Sequence, residues 1–122
     1  MSKTYAAAAA AVALIAAPAV AEISDGKVKI GILNDQSGVY ADFGGLGSVE
    51  AAKMAVEEFG GKVLDAPIEV VSADHQNKAD ISSNIARQWF DTEGVDAIAD
   101  LVTSSTALAV QEVARDKGKV TL

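Results

Sequence analysis

Four hydroxyl-bearing residues in a row, Thr103-Ser104-Ser105-Thr106, follow the apolar run Val95-Asp-Ala-Ile-Ala99 and lead into a helical pattern. Hydroxyls and free backbone N–H groups at a helix N-terminus make a neutral site for an anionic group, most naturally a carboxylate. A helix cap needs only one hydroxyl, so the run leaves Ser104, Ser105 and Thr106 as candidate ligand contacts. Nearer the N-terminus, Ser37-Gly38 offers another hydroxyl beside a close backbone approach. Tyr40 and Phe43 could wall a small-molecule pocket, with core packing against the next helix as the competing role for each. Asp74, Asn77 and Asp80 read as turn and cap residues, and His75 as a solvated loop residue.

Other chemistries fit poorly. Ser104, His75 and an aspartate on one edge could be assembled into a triad, but no G-x-S-x-G elbow presents a nucleophile. Gly44, Gly45 and Gly47 invite a nucleotide reading. They lie ten residues beyond the strand, no Lys-Ser/Thr follows, and the six-residue window from Gly45 ends in Glu50 where a glycine is needed. They read better as a flexible approach to a helix. One histidine and no cysteine leave no material for a His/Cys zinc site or a disulfide framework. No cofactor is expected.

The elements that must position these residues follow from periodicity. Val28, Ile30 and Ile32 alternate and Leu33 extends the run, which predicts a first strand running directly into the loop Asn34 to Gly44. Ser48 to Phe59 reads as a helix with Val49, Ala52, Ala55, Val56 and Phe59 on one face, stopped by Gly60-Gly61. Ile68 to Ser72 is the second strand. Asp80 is the expected N-cap of a helix from Ile81 to about Thr92 that buries Ile81, Ile85 and Trp89. Val95 to Ala99 is a third strand, about Ala107 to Lys117 a third helix, and Lys119 onward a fourth strand. This β-α-β-α-β-α-β order predicts an α/β domain with a parallel, doubly wound sheet. Ligands of such sheets collect outside the carboxyl ends of the strands, where Asn34 to Gly44, Ala73 to Lys78 and Leu101 to Thr106 all fall.

The N-terminus carries the three parts of a secretory signal peptide in order: Lys3, the apolar run Ala6 to Ala17, and Ala19-Val20-Ala21 before Glu22. Removing residues 1–21 takes away one lysine and no acid, so the formal charge of −7 becomes −8. That balance argues against nucleic acid as a partner. It leaves 101 of the 122 residues, small for an open α/β sheet. The sequence stops inside what reads as a central strand, which suggests the N-terminal piece of something longer. As a free-standing unit it should be unstable or aggregate.

With these residues in view, the chain resembles a known family. V-K-I-G-I-L-N-D-Q-S-G-V-Y-A-D-F-G, A-A-K-M-A-V-E-E-F-G and S-S-T-A-L-A-V-Q-E-V-A resemble the periplasmic ligand-binding proteins of the Leu/Ile/Val-binding type. These are the solute receptors of branched-chain amino acid ABC transporters and their relatives for amides and aromatic acids. The resemblance implies a type I fold of two lobes, of which residues 22–122 form part of lobe one. It also implies a periplasmic location, a small carboxylate-bearing ligand, a permease partner in the inner membrane, and no enzymatic activity. Ser104 and Ser105 match the loop that holds a ligand carboxylate, and Ser37-Gly38 with Tyr40 to Phe43 matches the loop lining the ligand. The amino-acid receptors often carry a small disulfide near these loops, and none can form here. Asn34 to Tyr40 and Asn77 to Asp80 look more like the subgroup for aromatic or other organic acids. A sensory domain on the same fold and a small secreted hydrolase using Ser104 and His75 are the rival readings. The signal-peptide reading predicts that the exported protein begins at Glu22, which N-terminal sequencing of a periplasmic extract checks.

Overall fold

The structure, a computed structural model, describes residues 25–122, so the expected signal peptide lies outside the described residues. The elements in chain order are β1 (Val28–Asn34), α1 (Gly45–Phe59), β2 (Lys62–Val63), β3 (Ala66–Asp74), α2 (Ala79–Thr92), β4 (Ala97–Ala99), α3 (Ser104–Asp116) and β5 (Val120–Thr121). They form one sheet in the order β2-β3-β1-β4-β5. β1 is parallel to both β3 and β4, and β4 is parallel to β5. This is the expected crossover topology, with one antiparallel addition.

That addition is β2, which pairs Lys62 with Pro67 and Val63 with Ala66. The two residues between the strands, Leu64 and Asp65, both have positive φ, at 49° and 65°. Paired left-handed residues are the geometry of a tight two-residue hairpin. Sequence patterning does not reveal it, because the turn lacks the usual Asn-Gly and the strand is too short to alternate.

Alternation along β1 divides the sheet into two faces. Leu33 joins the buried core formed with Ala86, Trp89 and Phe90 of α2, Ile98 of β4, and Val110, Val113 and Ala114 of α3. Gly31 points the same way and lies directly under Trp89: a Cβ there would sit 2.3 Å from the ring carbon Cζ3. Ile30 and Ile32 face the other way, toward α1. There they line an open apolar groove of about 390 Å³ with Ala52, Val56, Phe59 and Val70. Of the apolar stripe expected on α1, Val49 is buried while Phe59 is mostly exposed on the groove rim.

Helix starts differ from the sequence reading in an informative way. α1 begins at Gly45, three residues before the expected Ser48, although glycine is a poor helix former. The Asn34 side chain donates to the Gly45 carbonyl at 2.8 Å, a tertiary contact that overrides propensity. α3 likewise begins at Ser104 instead of Ala107. Asp80 is not the N-cap of α2; Lys78 is, and Asp80 lies within the first turn. Its carboxylate there still complements the helix dipole.

The Gly31–Trp89 contact yields a direct prediction. Gly31→Ala forces the indole or the strand to move, and overpacking of this kind costs about 1–3 kcal/mol. Urea unfolding followed by the fluorescence of Trp89, the sole tryptophan, should show a lower midpoint with an unchanged slope.

Candidate functional site

The parallel register sets Asn34 opposite Asp74 and Ile32 opposite Ala99. Consequently the chain leaves β1, β3 and β4 at the same edge, and three loops meet there. Each is held by buried polar groups from the strand ends.

The first loop is wound around Asp35, whose side chain is 2% exposed. Its carboxylate accepts the N–H groups of Gly38 at 2.7 Å and Tyr40 at 3.0 Å. Gly38 is required here, since a Cβ would lie 2.6 Å from the Asp35 carboxylate. Two successive turns, Ala41 N–H to Gly38 O and Phe43 N–H to Tyr40 O, carry the chain on to α1. Beside it, the Asn34 amide also donates to the Asp100 carboxylate at 2.6 Å, tying the first loop to the third.

Asp74 joins the first loop to the second. Its carboxylate accepts the Gln36 N–H at 2.9 Å, the Gln76 N–H at 2.8 Å and the Ser37 hydroxyl at 2.5 Å. Burial pushes this carboxyl up, but the three donors outweigh it and hold it below the usual aspartate value. His75 follows. It is fully buried, not a solvated loop residue, and its Nδ1 accepts the Asn77 N–H at 3.0 Å. Burial lowers its pKa despite the nearby carboxylates of Asp35, Asp74 and Asp100, which favour the charged ring.

Between the loops lies an open cavity of about 320 Å³ lined by Tyr40, Asn77, Val102, Thr103, Ser104 and Ser105. Ser104 and Ser105 are the first two residues of α3 and are both exposed. The leading N–H groups of a helix have no intrahelical acceptor, so hydroxyls and amides together offer an anion-holding terminus.

Three of the residues singled out in the sequence, Tyr40, Ser104 and Ser105, therefore line one cavity. The other four do not. The Ser37 hydroxyl is engaged by Asp74, and Gly38 packs on Asp35. Phe43 is 78% exposed with its ring 6.1 Å from that of Tyr40, outside the lining. Thr106 is fully buried, and its hydroxyl bonds to the Thr103 carbonyl and hydroxyl, a structural role inside the first turn. Val102, Thr103 of the hydroxyl run, and Asn77, read from the sequence as a turn or cap residue, also line the cavity. An aspartate followed three residues later by glycine is the signal that could have marked Asp35 as an anchor. The burial of His75 has no local signal. With its ring buried and Nδ1 occupied, His75 is not available to deprotonate Ser104.

Taken together, the chain is a mostly parallel α/β sheet whose carboxyl edge gathers three loops around an open polar cavity. The sequence profile of the family described as periplasmic binding protein matches residues 27–122, and the chain belongs to that family. Its fold is that of a lobe of a type I periplasmic binding protein. A periplasmic binding protein from Burkholderia mallei is 54% identical, with a TM-score of 0.76, covering 79% of this chain and 26% of its own length. A branched-chain amino acid ABC transporter periplasmic ligand-binding protein from Burkholderia xenovorans is 52% identical, with a TM-score of 0.75, covering 78% and 25% respectively. A solute-binding protein of an ABC transporter from R. palustris, solved in complex with benzoate, is 27% identical, with a TM-score of 0.69, covering 79% and 26%. The chain thus spans about a quarter of the length of these solved proteins. No curated protein matches it.

The lowered pKa of His75 has a consequence for stability. Below the ordinary histidine value of about 6.5 the unfolded chain binds a proton that the buried ring resists. The stability contributed by the neutral ring is complete above that pH and is lost as pH falls from it toward the folded pKa. Urea midpoints should therefore drop between pH 7 and pH 5, and His75→Gln should remove that part of the slope.

Proposed function

We propose that this chain is the ligand-gripping part of an exported substrate-binding protein. In this reading the whole receptor captures a small carboxylate-bearing solute in the periplasm and passes it to an ABC permease in the inner membrane. The observation that carries the proposal is the cavity at the sheet's carboxyl edge, where two exposed serines open a 13-residue helix opposite Tyr40 and Asn77. The relatives add support: one is described as a branched-chain amino acid transporter component and another holds benzoate. A branched-chain amino acid, an amide and an aromatic acid remain the candidate ligands.

Lobe one grips the carboxylate through the Ser104 and Ser105 hydroxyls and the first N–H groups of α3. Tyr40 lies along the apolar part of the solute, and closure of a second lobe buries it. The net charge of the chain is negative, so attraction of an anion rests on this local donor set and the helix dipole. The signal peptide provides the route of export.

The test is isothermal titration of the complete mature receptor with benzoate and with leucine. Ser104→Ala removes one hydrogen bond to a charged group, worth about 1.5–3 kcal/mol. Affinity for the ligand that binds should weaken by about tenfold or more. An unchanged affinity overturns the assignment.

A further inference from the structure

We propose that His75 is the positioning residue of the cavity-lining turn: its neutral imidazole accepts the Asn77 N–H and holds Asn77 against the ligand, and ring protonation releases it. The inference rests on the cavity being the ligand site, as proposed above. Three observations carry it.

First, Gln76 and Asn77 are both left-handed, with φ of 52° and 56°. Non-glycine residues adopt that conformation at a cost and keep it only where surrounding contacts hold it. The contacts here are the Gln76 N–H to the Asp74 carboxylate, the Asn77 N–H to His75 Nδ1, and the Lys78 N–H to the His75 carbonyl. Second, an imidazole nitrogen that accepts a backbone N–H carries no proton, so the ring proton resides on Nε2. Nε2 is buried without a hydrogen-bond partner, so no acceptor among the described residues pins the ring from that side. The ring is therefore held as the neutral Nε2–H tautomer by the Asn77 contact and by burial. Third, Asn77 itself lines the cavity, and its Oδ1 is buried without a partner among the described residues. A shift of the turn consequently moves a residue that lines the cavity.

Protonation reverses the arrangement. Nδ1 becomes a donor and opposes the Asn77 N–H head-on, leaving that part-buried amide without an acceptor. The charged groups around the ring are Asp35 after β1, Asp74 at the end of β3 and Asp100 after β4, all carboxylates that stabilise the imidazolium once it forms. Burial opposes them and keeps the ring neutral near pH 7. The balance makes His75 a lock that opens in acid.

Histidine is not the sole side chain that can accept from the second residue on. Asparagine does so through Oδ1 in an Asx turn, and it does not titrate. This allows a clean experiment on the complete mature receptor, its His75→Asn variant and its His75→Phe variant. Long-range proton–nitrogen correlation spectra assign the His75 tautomer by difference against the variants, and amide exchange measures protection of the Asn77 N–H from pH 8 to pH 5. The expected result is an unprotonated Nδ1 at neutral pH and Asn77 protection that falls about tenfold as the ring titrates, the size of one lost net hydrogen bond. His75→Asn should retain protection at every pH, and His75→Phe should lack it throughout. A proton on Nδ1 at pH 7, or equal Asn77 protection in all three proteins, overturns the proposal.

Benzoate and leucine serve as binding probes on the same samples. Affinity of the probe that binds should fall with ring protonation in the parent protein and stay flat in His75→Asn; a parallel fall in both overturns the link from turn to ligand. Should Ser104→Ala leave binding intact while Asn77 protection still follows the ring, the ligand-site reading fails and the His75 lock stands.

Discussion

Two adjacent polar side chains where β1 stops, Asn34 and Asp35, are almost wholly buried, and the arrangement of the carboxyl edge depends on the partners they take. A buried amide or carboxylate without partners is costly, so each recruits donors or acceptors from whatever chain lies nearest. Asn34 takes the Gly45 carbonyl and the Asp100 carboxylate, fixing the start of α1 and the exit from β4. Asp35 takes two backbone N–H groups of its own loop. One pair of residues thereby sets the position of two loops and a helix. The Asn34 carbonyl also accepts the His75 N–H, which draws in the second loop, between β3 and α2.

The two faces of the sheet are unlike in a way that follows from β1. On one face Gly31 lets Trp89 come up against the strand, and α2 and α3 close over an apolar core. On the other, Ile30 and Ile32 meet α1 through small residues and leave the groove open. The rigidity needed at the carboxyl edge comes from the first face, because α3, whose N-terminus forms the cavity, is anchored there by Val110, Val113 and Ala114. A helix packed into the core through these residues holds its first turn, which lines the cavity, in a fixed place.

Acids crowd the site of a proposed anion, and the geometry explains why that is tolerable. Asp35 and Asp74 each accept several hydrogen bonds, and Asp100 accepts one from Asn34. Their charge is met by donors within the loops, while the first turn of α3 offers donors of its own. The loops are thus built on carboxylates and the cavity on hydroxyls and amides.

Much of this was legible in the sequence, and the reason is periodicity. The alternation of Val28, Ile30 and Ile32, the apolar spacing of Ile81, Ile85 and Trp89, and the punctuating glycines define the α/β order and hence the edge where loops gather. A hydroxyl run at a helix start and an aromatic in a polar loop singled out Ser104, Ser105 and Tyr40, and all three line the cavity. What tertiary structure alone decided is how each polar residue in those loops is employed. Thr106 and Ser37 carry the same hydroxyl as Ser104, yet one is folded into the helix turn and the other bound to Asp74. His75 looked like a solvated loop residue and Asn77 like a turn or cap residue, until the pairing of β1 with β3 buried one and set the other at the cavity. Local sequence reports which groups are present; burial and hydrogen-bond partners are set by strands far apart in the chain, and those decide which groups remain free to bind.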